Sequence, residues 1–334
     1  MKFVESINKT LEILLDENKD VILYGEDITD PYGGAFKATK GLSTKFPERV
    51  IGTPISEASL IGMAGGMSIG GLIPIVEIMF GDFIMLGADQ LLNHLVKYQW
   101  MYNNKVDVSA TIRATMGGRR GYGPTHSQSL EPILSSIPGL KVISPTHYHN
   151  PGELLRHATL NDNGVKVFCE YKANYPKNLI DQTNCKEGIS VEYSNEDYRT
   201  VYLSNSNFES PDVLILSHGG NALLIEQILI DMLIEHELSV QANLPSLISS
   251  FNPNVVFNNI DECSLILILE ESPKNFGWGS EVAAQLVELN LCDDKRVVRI
   301  GSSSFPIPSS INLEKNALPN LNDIIDIIRS EGLI

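Results

Sequence analysis

Cysteine is scarce in this sequence, and the spacing of the few thiols excludes the usual roles of grouped cysteines. The 334 residues contain four of them. They are Cys169, Cys185, Cys263 and Cys292. Because no pair is separated by only two residues, the pattern favours neither a disulfide-stapled scaffold nor a thiolate zinc site. The sequence therefore predicts a reducing compartment of the cytoplasmic type.

Positive charge is also in short supply. The chain has 25 Lys and Arg residues against 41 Asp and Glu residues, for a formal net charge of -16. A surface of this sign repels a phosphate backbone, and the nearest basic cluster is only the pair Arg119 and Arg120. Nucleic-acid binding is thus not expected. An acidic surface suits a basic protein partner and ordinary solvation equally well.

The sequence lacks a convincing membrane-spanning segment. Residues 58–76 carry no charge and place Gly62, Gly66 and Gly70 at four-residue intervals, which is a spacing found in tightly packed helices. The stretch GGLIP at residues 70–74 would break a helix inside that apolar run. We therefore expect a small-residue helix packed against a partner, and no membrane association.

Familiar nucleotide-binding and hydrolase motifs are missing or misplaced. The sequence contains no phosphate-binding Gly-x-x-x-x-Gly-Lys-Ser/Thr loop, and no Gly-x-Gly-x-x-Gly follows the first predicted strand. Residues 66–70, GMSIG, match a nucleophile elbow around Ser68. That elbow requires a strand before the serine and a helix after it, whereas here the order is inverted. We expect Ser68 to be a packed small residue.

What the chain does have is a regular alternation of apolar strands and amphipathic helices. Strands are predicted at residues 21–27, 74–80, 108–114, 140–145 and 165–171, with helices at 57–70, 83–101 and 150–160. A second such series begins near residue 211 and ends in a helix predicted at residues 321–330. This alternation predicts an α/β fold of two doubly wound domains. We expect the domains at residues 1–180 and 211–334, joined by an exposed connection at 181–210 that is rich in Asn, Ser and Pro.

Four acidic or imidazole-bearing residues stand out in or beside predicted loops, where such folds bind ligands. Glu57 begins an uncharged helix that Ser56 or Thr53 could cap, so it is either a structural first-turn carboxylate or a proton-handling group. His126 follows a predicted strand in a loop with five Gly and Pro residues, which fixes its position. His147 and His149 form a potential metal pair without a third ligand, and a solvated loop is the expected setting.

Taken together, residues 20–172 closely resemble the β subunits of thiamine-diphosphate-dependent 2-oxoacid dehydrogenases. The stretches YGEDITDPYGGAFKATKGL, GTPISEASLIGMAGG and GGRRGYGPTHSQSLE carry the resemblance most clearly. It continues more weakly through LEESPKNFGWGSEVAAQL, so that nearly the whole chain is covered. The resemblance implies a transketolase-like pyrimidine-binding domain followed by a transketolase-type C-terminal domain.

The resemblance also assigns roles to individual residues. Glu57 matches the family glutamate that bonds a ring nitrogen of the cofactor's aminopyrimidine and shares a proton with it, and so activates the cofactor. Phe83 would stack near the aminopyrimidine, while Ile55 and Met79 would line its pocket, although plain core packing explains these three as well. His126 matches the active-site histidine that handles the substrate acid or the intermediate during acyl transfer.

The expected cofactor is thiamine diphosphate, but this chain can supply only half of its binding site. The diphosphate and its magnesium ion require a Gly-Asp-Gly motif, which is absent from all 334 residues. The resemblance therefore implies an α subunit that holds the magnesium ion, in an α2β2 heterotetramer, and leaves a lipoyl acyltransferase partner open. It also leaves potassium open, since residues 158–168, ATLNDNGVKVF, depart from the loop that holds this ion in relatives.

The activity implied is oxidative decarboxylation of a 2-oxoacid with acyl transfer to a lipoyl group. Two alternatives remain, the first another kind of enzyme and the second a protein of a different class. The chain could be part of a split transketolase-like synthase that passes its carbanion intermediate to an aldehyde, or a subunit that stabilises an enzyme without taking part in catalysis.

Overall fold

Two six-stranded sheets form the framework of the protein in the computed structural model, which describes residues 1–205 and 210–334. In the first sheet every neighbouring pair of strands is parallel, in the order β2-β1-β3-β4-β6-β5. Its strands are β1 (Val21–Gly25), β2 (Val50–Gly52), β3 (Ile73–Ile78), β4 (Ala110–Met116), β5 (Leu140–Ile143) and β6 (Val165–Tyr171). Every residue of β4 and β6 is buried, as expected for central strands covered on both faces.

The helices around the first sheet follow the predicted rhythm with one exception. They are α1 (Phe3–Glu17), α2 (Leu42–Lys45), α3 (Glu57–Ile69), α4 (Val96–Met101), α5 (Glu131–Ser135) and α6 (Pro151–Leu160). The single helix expected at residues 83–101 is wrong. A 3-10 helix (Gly81–Gly87), a π-helix (Gln90–Leu95) and α4 occupy that region. Gly81 and Gly87 let the first of these approach its neighbours too closely for any side chain.

The second sheet is mixed rather than parallel throughout. Its order is β12-β11-β9-β10-β8-β7, and β10, β9, β11 and β12 pair in parallel, whereas β7 and β8 form an antiparallel hairpin at the edge. Its strands are β7 (Ser190–Tyr193), β8 (Thr200–Ser204), β9 (Val213–Ser217), β10 (Val240–Pro245), β11 (Leu265–Pro273) and β12 (Arg296–Ser302). Its helices are α7 (Ala222–His236), α8 (Pro253–Val256), α9 (Trp278–Glu288), α10 (Ile311–Ala317) and α11 (Leu321–Ser330).

The two doubly wound α/β units confirm the predicted fold class. The predicted connection at residues 181–210 contributes the hairpin of β7 and β8 to the second sheet, while its residues 206–209 lie outside the described part of the chain. The domain boundaries themselves stay a prediction. Within residues 1–205 and 210–334, no helix is both long enough and apolar enough to cross a bilayer.

A shared apolar core joins the two sheets. One cluster of buried side chains includes Ile112 and Val167 from the first sheet together with Leu214 and Ile266 from the second. Removing such apolar surface from water is the main stabilising contribution in a fold of this size. Side chains that enter the seam from either sheet are therefore held in a defined relative position.

A buried ionic triad ties three strands of the first sheet together. Arg113 on β4 donates to Glu77 on β3 at 2.6 Å and to both oxygens of Glu170 on β6 at 2.7 and 2.8 Å. Tyr175 donates a further hydrogen bond to Glu170. The guanidinium satisfies two carboxylates that could not be buried without a partner. Sequence periodicity alone predicts apolar residues here and does not reveal this network.

Candidate active site

Glu57 is the first residue of α3 and lies almost entirely inside the protein. Its exposed fraction is only 4 %. Neither expected cap forms, because the Ser56 hydroxyl donates to Ser59 Oγ at 2.8 Å and Thr53 Oγ1 is buried without a partner in the described chain. The carboxylate of Glu57 likewise has no hydrogen-bonding partner within residues 1–205 and 210–334. A helix N-terminus favours a negative charge at this place, yet the group remains free to bind something else.

A second carboxylate, from the loop after β1, lies close to Glu57. The backbone N–H of Ser56, immediately before Glu57, donates to Glu26 Oε1 at 3.2 Å. Burial raises the pKa of Glu26, and the nearby charge of Glu57 raises it further. Sequence reasoning missed Glu26, although its place at the carboxyl end of β1 was a signal that could have identified it.

The 3-10 helix that carries Phe83 packs against the first turn of α3. Gly87 at its end approaches Glu57 and Ile61 so closely that a Cβ there would lie 3.0 Å from the Glu57 carbonyl oxygen. Phe83 is partly buried against the core. Ile55, in contrast, is 79 % exposed, so core packing does not explain it. Ile55, the residue next but one before the buried Glu57, is therefore accessible to a ligand or a partner.

His126 joins the same region through its aromatic neighbours. Its ring centroid lies 5.3 Å from that of Phe83 and 4.6 Å from that of Phe80, in edge-on geometry. Nδ1 is 2.9 Å from the hydroxyl of Thr125. The structure thus brings His126 and Phe83 together.

A pair of hydrogen bonds anchors the loop of His126 to the 3-10 helix. Asp82 Oδ1 accepts the backbone N–H of Gln128 at 3.1 Å and its side-chain amide at 2.9 Å. The other oxygen of Asp82 is buried without a partner in the described part of the chain. Met79, half-buried at the end of β3, contributes its carbonyl to the same region by accepting from Thr115 Oγ1 at 2.9 Å. Glu57, Phe83 and His126 are consequently linked through one short helix.

The opposite side of the His126 loop is held by carboxylates from the second α/β unit, one on a strand and one on a helix. Glu271 on β11 accepts the N–H of Gly118 at 2.5 Å and pairs with Arg119 Nε at 3.1 Å. Glu314 on α10 accepts the N–H groups of Arg119 and Gly121 at 3.0 and 2.8 Å. Both carboxylates are almost fully buried. Sequence reasoning missed them, because nothing in the sequence relates residues more than 150 positions apart.

Two buried ionisable groups lie behind this loop. Burial lowers the pKa of Lys172 to about 8, against the opposing attraction of Asp82 and other carboxylates. Burial raises the pKa of Glu131 to about 7. Neither carboxylate oxygen of Glu131 has a hydrogen-bond partner in the described chain. The desolvation of these groups places charge changes near neutral pH close to the candidate site.

The remaining predicted candidates lie elsewhere and have structural roles. The solvated setting expected for His147 and His149 is wrong, since both are buried. His149 Nδ1 contacts Thr146 and its Nε2 lies 3.2 Å from the Arg199 carbonyl, while His147 Nε2 is 3.6 Å from Glu226. Burial lowers the pKa of His149 to about 4. Ser68 lies near the end of α3 and accepts the Ser109 N–H at 2.8 Å, as fits a packed residue.

Comparison with known proteins gives the fold and the family of the chain. Residues 1–178 match the family described as transketolase, pyrimidine binding domain. A solved structure titled "Split gene transketolase, inactive beta4 tetramer" superposes with a TM-score of 0.71 at 19 % identity, over 99 % of this chain and 97 % of the other. The fold is therefore that of the transketolase-like proteins.

Curated relatives narrow the class. The chain is 29 % identical to the acetoin:2,6-dichlorophenolindophenol oxidoreductase subunit beta of Bacillus subtilis (strain 168), over 97 % of this chain and 94 % of the relative. It is 31 % identical to the mitochondrial 2-oxoisovalerate dehydrogenase subunit beta 2 of Arabidopsis thaliana, over 99 % and 88 %. It is also 31 % identical to the mitochondrial pyruvate dehydrogenase E1 component subunit beta-2 of Oryza sativa subsp. japonica, over 96 % and 83 %. The chain belongs to the β subunits of the pyruvate, acetoin and branched-chain 2-oxoacid dehydrogenases, which confirms the family expected from its motifs.

Proposed function

We propose that this β subunit binds the aminopyrimidine half of thiamine diphosphate at Glu57 and, with an α subunit, decarboxylates a 2-oxoacid and passes the acyl group to a lipoyl arm. The observation that carries the proposal is the nearly buried carboxylate of Glu57, which has no hydrogen-bond partner in the described chain and lies on the same side of the protein as Phe83 and His126. Family membership favours this reaction over the split transketolase-like alternative.

The residues around Glu57 fit the aminopyrimidine ring. A carboxylic acid without a protein partner can bond a ring nitrogen, and it stays in place because α3 and Gly87 fix its backbone. The planar ring would contact Phe83, with Ile55 and Met79 at its margin. The buried, unpartnered Thr53 Oγ1 beside the same turn is a further polar atom that a ligand could satisfy.

Each side chain then has a defined task. When bound, thiamine diphosphate supplies the carbanion chemistry that decarboxylation of a 2-oxoacid requires. Glu57 would hold the ring and would donate a proton to, and accept a proton from, its nitrogen. His126, oriented by Thr125 and Phe80, hydrogen-bonds the substrate carboxylate or the acyl group during transfer to the lipoyl arm.

The exposed apolar surface beside Glu57 supports an obligate partner. Ile55, Leu86 and Met63 are 79, 64 and 46 % exposed. Gly62 and Gly66 are exposed on α3, where they leave the helix surface flat. Large apolar patches on a single chain mark subunit interfaces. We infer an α subunit on this face, which holds the diphosphate and most of the magnesium coordination, in an α2β2 assembly. A lipoyl acyltransferase is the acceptor partner in this proposal.

Magnesium and cellular location are extensions of the same proposal. In the part of the chain that the structure describes, no group of three or more His, Cys, Asp or Glu side chains is arranged to hold a metal ion. The four cysteines are unpaired in that part. The reducing, cytoplasmic-type compartment remains a prediction from the sequence.

Reconstitution tests the reaction. The chain is co-expressed with the neighbouring α-type gene product, supplied with thiamine diphosphate and magnesium, and assayed on pyruvate, branched-chain and longer 2-oxoacids and acetoin. A lipoyl domain and 2,6-dichlorophenolindophenol serve as alternative acceptors. Turnover of a 2-oxoacid with acylation of the lipoyl domain is expected. Turnover only with aldehyde acceptors would overturn the proposal in favour of the synthase.

The Glu57→Gln variant tests the site. An amide can hold the ring but cannot relay the proton, so turnover should fall on the order of 100-fold or more, while the melting temperature changes little. Glu48→Gln, at an exposed position before β2, is the matched control and should keep full activity. Undiminished turnover of Glu57→Gln would instead mean that the subunit only stabilises the enzyme.

A further inference from the structure

Lys166 on β6 is a buried lysine whose ammonium group is fully enclosed. Its side chain is inaccessible to solvent and is among the largest fully buried ones in the described protein. Nζ donates to Asp162 O at 2.6 Å, to Gly164 O at 2.8 Å and to Ser109 Oγ at 2.9 Å. An ammonium has three N–H donors, so every one of them is satisfied.

The acceptors around Nζ are of the kind that coordinates an alkali cation. Two are backbone carbonyls of the loop between α6 and β6, and the third is a hydroxyl. Rings of carbonyl oxygens replace the hydration shell of K⁺ in proteins that bind this ion. The loop therefore has the chemistry of a monovalent cation site, with a lysine head group at its centre.

The loop is held around that centre by contacts that still let its carbonyls accept from Nζ, although the Gly164 carbonyl also accepts the Ala110 N–H at 3.2 Å. Asn161 and Asp162 donate their N–H groups to the His157 carbonyl at 2.9 and 3.1 Å. The carboxylate of Asp162 is turned away, because it accepts from Lys141 and from the Tyr198 hydroxyl, the latter at 2.7 Å. Gly164 has a φ of +92°, a conformation that suits glycine and lets the chain turn back into β6.

The positive charge of Lys166 disfavours the binding of a second cation in this loop. Burial lowers the pKa of Lys166 to about 8, a value at which the ammonium form still predominates at neutral pH. Lys141 is a second positive group beside Asp162. A metal ion placed among the same oxygens would have to displace the ammonium or lie against it, at a high electrostatic cost in a buried site.

We infer that the Lys166 ammonium is a built-in cation that occupies the place of a bound potassium ion in the loop at residues 161–164. The chain therefore orders this loop without a monovalent metal ion. The potassium left open by the family resemblance does not fit these residues, since the oxygens that would ligate it already accept from Nζ. This inference concerns folding and does not depend on the proposed reaction.

Thermal unfolding of the full-length chain in different chloride salts tests the inference. Wild-type protein should melt at the same temperature, to within about 1 °C, in potassium, ammonium, lithium and tetramethylammonium chloride at equal ionic strength. Lys166→Ala leaves the three acceptors around an empty space. It should melt lower than the wild type and recover by about 2 °C or more in potassium or ammonium, but not in lithium or tetramethylammonium.

The control is Val167→Ala, the next residue of the same strand and fully buried. It should lose stability through a cavity, with no difference between the salts. The inference is overturned if Lys166→Ala folds but shows no cation selectivity. A wild-type chain that is selectively stabilised by potassium, or that retains one potassium ion per chain after dialysis, overturns it without any variant.

Discussion

Glu271 on β11 and Arg119 in the His126 loop form an ion pair across the seam between the two sheets, with 3.1 Å between Oε2 and Nε. Glu271 is 1 % exposed, so water does not replace the pair if it is broken. Its other oxygen accepts the Gly118 N–H. The second sheet thus determines where the loop of His126 lies.

Glu271→Gln should weaken catalysis through the loop. The amide keeps the size of the side chain but removes the charge that orients Arg119, and a small displacement of His126 should lower kcat about tenfold. Cofactor affinity should change little, since Glu57 and Phe83 belong to other elements. Steady-state kinetics of the reconstituted enzyme, with thiamine diphosphate titrated separately, measure both. An equal loss in cofactor affinity would show general unfolding instead of loop displacement.

Replacement of His126 should separate two parts of the reaction. His126→Asn removes the imidazole beside Phe83, so acylation of a lipoyl domain should slow by about 10²-fold. Decarboxylation followed with 2,6-dichlorophenolindophenol should fall less, because that acceptor needs no acyl transfer. Rapid-mixing assays with the two acceptors give the ratio. Identical losses with both would place His126 in substrate binding alone.

Because the pKa of Glu131 is raised, the stability of the folded chain should depend on pH. The pKa of Glu131 is about 7 in the folded chain, against an ordinary value of 4.5. Between these values the folded state holds the proton and the unfolded state loses it, so the stability from this group is full at low pH and disappears as pH rises through 7. Glutamine does not titrate. The stability of Glu131→Gln relative to wild type should therefore rise by about 3 kcal/mol from pH 4.5 to above 7.

Urea unfolding of both proteins at pH 5 and pH 8 measures this difference. Glu48→Gln, at an exposed position, is the control and should show no change in relative stability. A difference between Glu131→Gln and wild type that stays constant with pH would contradict a protonated Glu131.

Substitution of Gly66, on the open face of α3, should impair assembly with the α subunit without impairing folding of the chain. A Cβ at this position would meet no atom within 4 Å, so Gly66→Leu should leave the isolated chain as stable or slightly more stable. The same side chain would protrude into an α subunit packed on this face. Size-exclusion chromatography with light scattering should show loss of the complex, whereas Glu288→Leu, exposed on α9, should assemble. Normal assembly of Gly66→Leu would place the partner on another face.

Much of the local structure follows from the sequence alone. Strand β6 and helix α11 begin and end where apolar periodicity places them, at residues 165–171 and 321–330. These elements are determined locally, because alternation and helical spacing reflect which face is buried. The motifs around Glu57 and His126 likewise identified the family, since short segments next to strand ends carry the ligand chemistry.

Only the tertiary structure decided how distant groups combine. The sequence could not show that Glu271 and Glu314 hold the His126 loop, or that His147 and His149 are buried. In the sequence, Lys166 is only a charged residue within an apolar strand. The structure shows that the loop at residues 161–164 surrounds its ammonium group. Periodicity records whether a position is buried, whereas the partner of a buried charge depends on contacts between segments far apart in the chain.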